Sequence, residues 1–428
     1  MCGNDLGYIR SVEGHASGWF RGAGLGLFVH WDHASQQGLE LSWPLVGGIP
    51  VLAKCQSVAV DDYHASAATF DPRGWDPVAL ARRAKACGMT YAVFTTKHHN
   101  GYAMFDTAPS DFSVMHSPYG RDIVAGFVEA FRAEGLRVGL YFSLSDWHHP
   151  DYPAFREEDK PYLFLASPPW PPAEQWARYL DFVAAQLREL LTNYGPIDLL
   201  WFDGGWERPP DWWRAEQLEA MIRSLQPDIL INDRLPTRGD FETPEQSVPA
   251  VPPERPWETC LTMNESWGFN PSDTDYKSAR SLVHTICEVT SRGGNLLLNV
   301  SPAGTGELPL EQVERLDAIT RWMERHAESV LGTAPGLEPW QFYGPSTRRD
   351  KTVYLHLLMR PYDTVTVRGV RVRQVRSVRV VGTNESLPFT TRTAILDNFA
   401  ADPLGEVTIT VPESVLDPDA TVLALEMA

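Results

Sequence analysis

Basic side chains are in short supply: 37 Lys and Arg stand against 55 Asp and Glu, a formal charge of −18 over 428 residues with a pI near 5.1. Nucleic acid and anionic membranes are gripped by clustered cations, so neither is an expected partner. Cysteine is also sparse. Cys2, Cys55, Cys87, Cys260 and Cys287 are odd in number and form no C-x-x-C pair, which argues against a disulfide framework and a zinc knuckle. Cys287 keeps step with Val283 and Ile286 on a helical apolar stripe, so it reads as core. No stretch offers about 18 uninterrupted apolar residues, and Met1-Cys2-Gly3-Asn4-Asp5-Leu6-Gly7 has neither the basic nor the apolar region of a secretory leader. The expectation is a soluble, cytoplasmic protein. H-x-H, H-E-x-x-H and Cys/His ligand spacings are absent as well, so no metal or other cofactor is expected.

What is present is a rhythm. From about residue 24 to 330, short apolar runs alternate with amphipathic segments, the signature of β/α units. Strands are expected at Leu25 to His30, Tyr91 to Thr96, Val138 to Ser143, Ile197 to Asp203, Ile229 to Asp233, Glu258 to Met263 and Asn295 to Val300. Helices are expected at Val78 to Ala86, Ile123 to Ala133, Trp176 to Leu191, Ala215 to Leu225, Tyr276 to Val289 and Leu310 to Leu331. Seven strands are countable, and an eighth is inferred to complete a (β/α)8-like barrel of the α/β class. The character changes at Gly332-Thr333-Ala334-Pro335-Gly336. Val353 to Leu358, Val365 to Val381, Val407 to Val411 and Val422 to Leu425 then alternate and are rich in β-branched residues. The expected division is a catalytic domain over residues 1–335 and a β-sandwich over 336–428.

The most informative segment is Trp201-Phe202-Asp203-Gly204-Gly205-Trp206, which follows the apolar run Ile197-Asp198-Leu199-Leu200. In a parallel barrel the C-terminal ends of strands face the active-site mouth, so Asp203 is placed for chemistry. Its flanking indoles suit the C–H faces of a sugar ring. Other polar groups cluster at strand ends too: His30, Lys97-His98-His99-Asn100, Tyr141 to Asp146, Asn232-Asp233-Arg234 and Glu258. Cleaving a glycosidic bond takes two carboxyl groups. Asp203 is a candidate for the one that attacks the sugar, while Asp240, Glu242, Glu245 and Glu258 all remain open for the acid, with Phe241 or Trp267 as its apolar wall. His98 and His99 would point to opposite faces of an extended strand and would not chelate one ion together. Hydroxyl recognition is the better use of His30 and His98, since a neutral imidazole has one donor and one acceptor. His148, His149, His284 and His326 read as structural.

The ordered series Gly26-Leu27-Phe28-Val29-His30-Trp31, Thr96-Lys97-His98-His99-Asn100-Gly101-Tyr102, Gly139 to Ser143, Leu200 to Gly204, Asn232-Asp233-Arg234, Trp257 to Cys260, Ser266 to Asn270 and Gly293 to Val300 resembles that of the glycoside hydrolase family 29 α-L-fucosidases. The resemblance implies a (β/α)8-like catalytic domain, a C-terminal β-sandwich and metal-free, retaining, exo-acting removal of terminal α-L-fucose from a fucosylated oligosaccharide or glycoconjugate. By position in the motifs, Asp203 matches the family's nucleophile and Glu245 its acid/base. Sugar contacts fall on His30, His98, His99, Tyr141, Trp201, Arg234 and Trp267, with Trp43 keeping its place and Glu40 a candidate for a hydroxyl-binding carboxylate. Leu39-Glu40-Leu41-Ser42-Trp43-Pro44 departs from the family's usual Glu-Trp, Asn100 replaces an Asp, and Ser301 stands where Gly is common. A related L-galactose-configured sugar is therefore an alternative substrate. A metal-dependent hydrolase using His30, His98 and Asp203, and an inactive sugar-binding protein, are alternatives of other classes. Oligomeric state is not legible.

Overall fold

In a computed structural model that describes residues 18–47, 58–153, 160 and 169–428, the seven apolar runs become parallel strands. They are β1 (Leu25–Val29), β2 (Tyr91–Lys97), β3 (Arg137–Ser143), β4 (Leu199–Asp203), β5 (Leu230–Ile231), β6 (Glu258–Leu261) and β7 (Asn295–Val300). Cys2 and Cys55 lie outside the described residues. The strands neighbour one another in the order β5-β4-β3-β2-β1-β7-β6, so the sheet curls round and leaves one gap, between β5 and β6.

An irregular segment fills that gap. Asn232 pairs with Phe241, Glu242 with Trp257 and Glu245 with Cys260, all in parallel sense. The amide of Asp233 donates to Phe241 O at 3.0 Å, Glu258 N to Glu242 O at 3.0 Å and Cys260 N to Pro244 O at 3.1 Å. Residues 240–246 thus act as the eighth stave. Pro244 has no N–H for a ladder, which keeps this stave from being a regular strand. The eighth strand was therefore not countable in the sequence, because its backbone pairs residue by residue and its side chains lack apolar alternation.

Helices Pro77–Ala86, Ile123–Ala133, Ala173–Thr192, Ala215–Leu225, Ala279–Ser291 and Leu310–His326 cover the outside. Several start where a side chain satisfies a free backbone amide: Asp76 accepts from Ala79 N at 2.9 Å, Asp122 from Ala125 N at 2.8 Å and Ser278 from Ser281 N at 3.1 Å. The last helix stops at His326 and tightens into a 3-10 turn, Ala327–Ser329, short of the expected Leu331.

Strand alternation separates two cores. Leu27, Val29, Leu140, Phe202 and Leu298 point outward and pack with the helices. Phe28, Tyr91, Tyr141, Trp201, Cys260 and Leu297 point inward and fill the barrel. Two residues further along their strands, the inward positions after Phe28, Trp201 and Leu297 are His30, Asp203 and Asn299. The same parity that packs the barrel delivers its polar groups to the C-terminal mouth.

The C-terminal module begins with β8 (Ala334–Pro335) and continues as β9 (Ser346–Arg349), β10 (Thr352–Leu357), β11 (Thr364–Arg371), β12 (Val375–Val380), β13 (Phe389–Arg392), β14 (Leu404–Thr410) and β15 (Thr421–Met427). A five-stranded sheet, β12-β15-β10-β9-β8, faces a three-stranded one, β11-β14-β13. The run expected from Val365 to Val381 breaks at Val372–Gln374, where the chain passes from one sheet to the other. Alternation again makes two faces: Leu355, Leu357, Leu423 and Leu425 fill the sandwich, and Tyr354, Val422 and Ala424 join the barrel's helical core. Trp322 Nε1 donates to Ala420 O at 3.0 Å across this junction, and His284 Nε2 lies 2.8 Å from Asp419 O. Among the described residues no helix is long and apolar enough to cross a membrane.

Candidate active site

Asp203 is the last residue of β4, and Gly204 turns the chain away with a φ of +73° that a side chain would strain. A Cβ there would also stand 2.5 Å from Ser145 Oγ. The carboxylate accepts from Tyr141 OH at 2.8 Å on Oδ2 and from Arg234 Nη1 at 3.1 Å on Oδ1. The other prong of the same guanidinium, Nη2, donates to Glu245 Oε2 at 2.7 Å. Two carboxylates 42 positions apart in the chain are thus held on one planar fork. Arg234 is itself fixed, lying over the Trp201 ring at 4.5 Å while its Nε donates to Thr243 Oγ1 at 3.1 Å.

These groups line a cavity of about 950 Å³ at the barrel mouth, together with Phe28, His30, Trp43, His98 and Trp267. Burial pushes the His30 imidazole down to about 3, against its hydrogen bond to Asn299 Oδ1 and the charge of Asp203, which favour protonation. Burial also lowers His99 to about 4 and drives His98 well below its usual value. Burial and the neighbouring Asp203 raise the Tyr141 phenol. At neutral pH the site therefore offers uncharged imidazoles and a protonated phenol, groups suited to sugar hydroxyls.

His98 and His99 do not splay to opposite faces. β2 ends at Lys97, and the turn closed by Gly101 N to His98 O at 3.0 Å brings the two rings within 4.2 Å of each other. His98 Nδ1 lies 2.5 Å from Ser42 Oγ, and its ring lines the cavity. His99 Nδ1 lies 2.6 Å from Ser143 Oγ, with Nε2 directed at Asp203 Oδ2 from 3.7 Å. His99 thus stands behind the Asp203 carboxylate, outside the cavity wall.

Glu40 also stands behind the wall. Its buried carboxylate accepts from Trp267 N at 2.6 Å and Gly268 N at 3.0 Å, so it anchors the Trp267 backbone and does not face the cavity. Of the four acids left open for the second role, Asp240 accepts from Arg223 at 3.0 Å and Ile231 N at 2.8 Å. Glu242 lies near Arg255, and Glu258 is fully buried, bonded to Tyr91 OH and to Trp201 Nε1 at 2.8 Å. Glu245 alone among them lines the cavity. Trp267 serves as an apolar wall, whereas Phe241 packs inside the barrel against Phe20, ring centres 4.6 Å apart. The departures at Asn100 and Ser301 also lie behind the site: Asn100 Nδ2 donates to Asp32 and Tyr63, and Ser301 Oγ accepts from Gln312.

Trp206, Arg208, Glu265 and Lys277 extend the cavity beyond the expected set. Trp206 was visible in the motif and Lys277 fell within the helix expected from Tyr276, which begins only at Ala279, whereas Arg208 and Glu265 come from loops with no pattern of their own. Among the described residues, no group of three or more His, Cys, Asp or Glu side chains is placed to hold a metal ion.

A barrel whose mouth joins two carboxylates through one arginine, under a rim of indoles and neutral imidazoles, has the layout of a glycoside hydrolase. The family model described as alpha-L-fucosidase matches residues 9–328. Tissue alpha-L-fucosidase of Mus musculus is 28% identical over 441 residues, covering 96% of this chain and 90% of the relative. The Bos taurus tissue enzyme is 30% identical over 341 residues, covering 74% and 69%. Among solved structures, alpha-L-fucosidase isoenzyme 1 from Paenibacillus thiaminolyticus superposes with a TM-score of 0.83 at 33% identity, covering 96% of this chain and 99% of that one. A GH29 alpha-L-fucosidase from Bacteroides thetaiotaomicron, trapped as a covalent intermediate with 2-fluoro-fucosyl fluoride, gives 0.80 at 26% identity, covering 97% of each. The chain belongs to the alpha-L-fucosidase family, and its activity is that of an α-L-fucosidase.

Proposed function

We propose that the enzyme removes terminal α-L-fucosyl residues from glycans with retention of configuration, through a covalent intermediate on Asp203. The observation that carries this reading is the Arg234 fork, which holds the Asp203 and Glu245 carboxylates on one cavity. Retention calls for carboxyl groups about 5–5.5 Å apart, the separation this reading requires of Asp203 and Glu245. In the first step an Asp203 oxygen attacks the anomeric carbon as the glycosidic C–O bond breaks, and the Glu245 proton passes to the departing oxygen. Water then gives a proton to Glu245 and attacks the same carbon, which frees Asp203 and releases fucose. Tyr141 and Arg234 hold the Asp203 oxygens in place for the attack. The fully buried ring of Phe28 and the nearly buried ring of Trp201 floor the cavity, which favours a terminal sugar over a mid-chain one.

Incubation with 2-fluoro-fucosyl fluoride tests the mechanism. The expected result is a stoichiometric mass increase localised to the peptide bearing Asp203. A label on another carboxylate, or an inverted anomer as the first product seen by NMR, overturns it.

A further inference from the structure

Asn299 stands near the end of β7, 1% exposed and outside the cavity wall. Its two amide atoms have different partners. Nδ2 donates to the Trp267 carbonyl at 2.8 Å, and Oδ1 lies 2.7 Å from His30 Nδ1. A carbonyl can only accept, so Trp267 O calls for the NH2 of Asn299 and turns the amide oxygen toward His30. That oxygen can only accept as well, so His30 Nδ1 carries a proton. A neutral imidazole with a proton on Nδ1 has a bare lone pair on Nε2.

We infer that Asn299 is a positioning residue that holds His30 as an obligate hydrogen-bond acceptor at Nε2, so that the ring accepts a hydrogen bond from one particular sugar hydroxyl and donates none. The inference rests on the reading above that fucose occupies this cavity. It explains why a buried amide has its place behind a histidine that a serine could equally have bonded, as Ser42 does His98. A hydroxyl can donate or accept and so leaves the tautomer free, whereas an amide fixed by Trp267 cannot. The same residue clamps the indole wall. The Trp267 peptide is held by Asn299 at its carbonyl and by Glu40 at its N–H, and its ring lies 4.9 Å from that of His30. The groups that face His30 are Asp203, which favours its protonation, and His99 and Arg234, which oppose it, with His98 and Tyr141 rings 6.0 and 5.5 Å away. Burial outweighs the carboxylate and keeps the ring neutral.

The test compares wild type, Asn299→Leu and Asn299→Asp on an aryl α-L-fucoside and its 2-, 3- and 4-deoxy analogues. Wild type is expected to discriminate most strongly against the one analogue that lacks the hydroxyl donating to His30. Asn299→Leu should lower kcat/KM on the parent by about 10–100-fold, the range for leaving one buried polar group unpaired, and should flatten the discrimination against that analogue. Asn299→Asp keeps an acceptor at Nδ1 but gives up the donor to Trp267 O and adds a negative charge, so His30 holds a proton to higher pH and Nε2 becomes a donor. Its kcat/KM should fall as pH drops through the raised value, with the acid limb shifted upward and activity returning at alkaline pH. Equal losses on all four substrates for the Leu variant, or an Asp variant whose acid limb stays in place, would overturn the inference. Should Asn299→Leu fail to fold by circular dichroism, the near-isosteric Asp profile decides alone. Labelling by 2-fluoro-fucosyl fluoride separates the two levels: a label on Asp203 in both variants leaves the mechanism standing while the tautomer is judged, whereas no label in wild type removes the mechanism itself.

Discussion

At the scale of single residues, Glu245 and Asn100 show how neighbours set a side chain's role. Glu245 reaches the cavity and pairs with Arg234, while Asp240 and Glu258 are fully engaged elsewhere. Glu245→Ala is expected to lower turnover of an unactivated fucosyl glycan by about 10²–10⁴-fold, the usual worth of a general acid. An aryl fucoside with a good leaving group should lose much less in the first step. Steady-state kinetics on both substrates checks this, and equal losses would remove Glu245 from the role. Asn100 donates from one amide nitrogen to Asp32 and to Tyr63, each at 2.7 Å. Burial already raises Asp32 to about 6, with the Ala34 and Asn100 hydrogen bonds opposing it. Asn100→Asp would set two buried carboxyls face to face and leave one charge unpaired, a destabilisation of about 3 kcal/mol or more once both ionise. Because the shared site then holds its proton more tightly folded than unfolded, the loss should be small below pH 4 and grow as pH rises through 6. Denaturant titrations at pH 4.5 and 8 would show it, and a pH-independent difference would contradict it.

At the scale of elements, the barrel strands were readable because their outward residues face helices and their inward residues fill a closed interior, so both faces are apolar. Small residues make that filling possible. A Cβ on Gly26 of β1 would stand 2.4–2.7 Å from ring atoms of Tyr91, whose hydroxyl bonds Glu258 beneath Trp201. Gly26→Ala is therefore expected to cost about 1–3 kcal/mol by overpacking and to disturb the Trp201 floor as well. A lower denaturation midpoint together with a raised KM would be the result, and an unchanged midpoint would mean that the ring yields freely. The element that escaped recognition was the stave 240–246, and it is the one that carries Glu245 to the cavity. Three acids in one irregular loop look alike until backbone pairing with β6 directs Glu245 inward and leaves Glu242 near Arg255. His98 and His99 were misread for a related reason: alternation holds only while a strand lasts, and β2 stops one residue before them.

At the scale of the whole molecule, the sandwich is bound to the barrel by apolar burial as well as polar links. Val422 is fully buried in the barrel's helical core, beside the Trp322 to Ala420 hydrogen bond and the 2.8 Å ion pair of Arg325 with Asp417. Two modules sharing so much covered surface should unfold together. Val422→Asp, which buries an unpaired charge, is expected to destabilise by about 3–5 kcal/mol and to lower the stability of the barrel along with that of the sandwich. Calorimetry checks this through a single transition that moves as a unit. Two separate peaks, with only one displaced, would show that the modules unfold independently.

The order of units, the parity of each strand and the place of Asp203 at a strand's end were all written in local pattern, since apolar periodicity is a property of neighbouring residues and survives without the rest of the chain. The partner of Asp203, the neutral state of His30 and the withdrawal of Glu40 behind the wall were settled only on folding. Each depends on groups far apart in the chain, Arg234 between 203 and 245, Asn299 behind 30, Trp267 above 40. Burial and hydrogen bonding acquire their values only when the barrel closes and brings those groups within reach of one another.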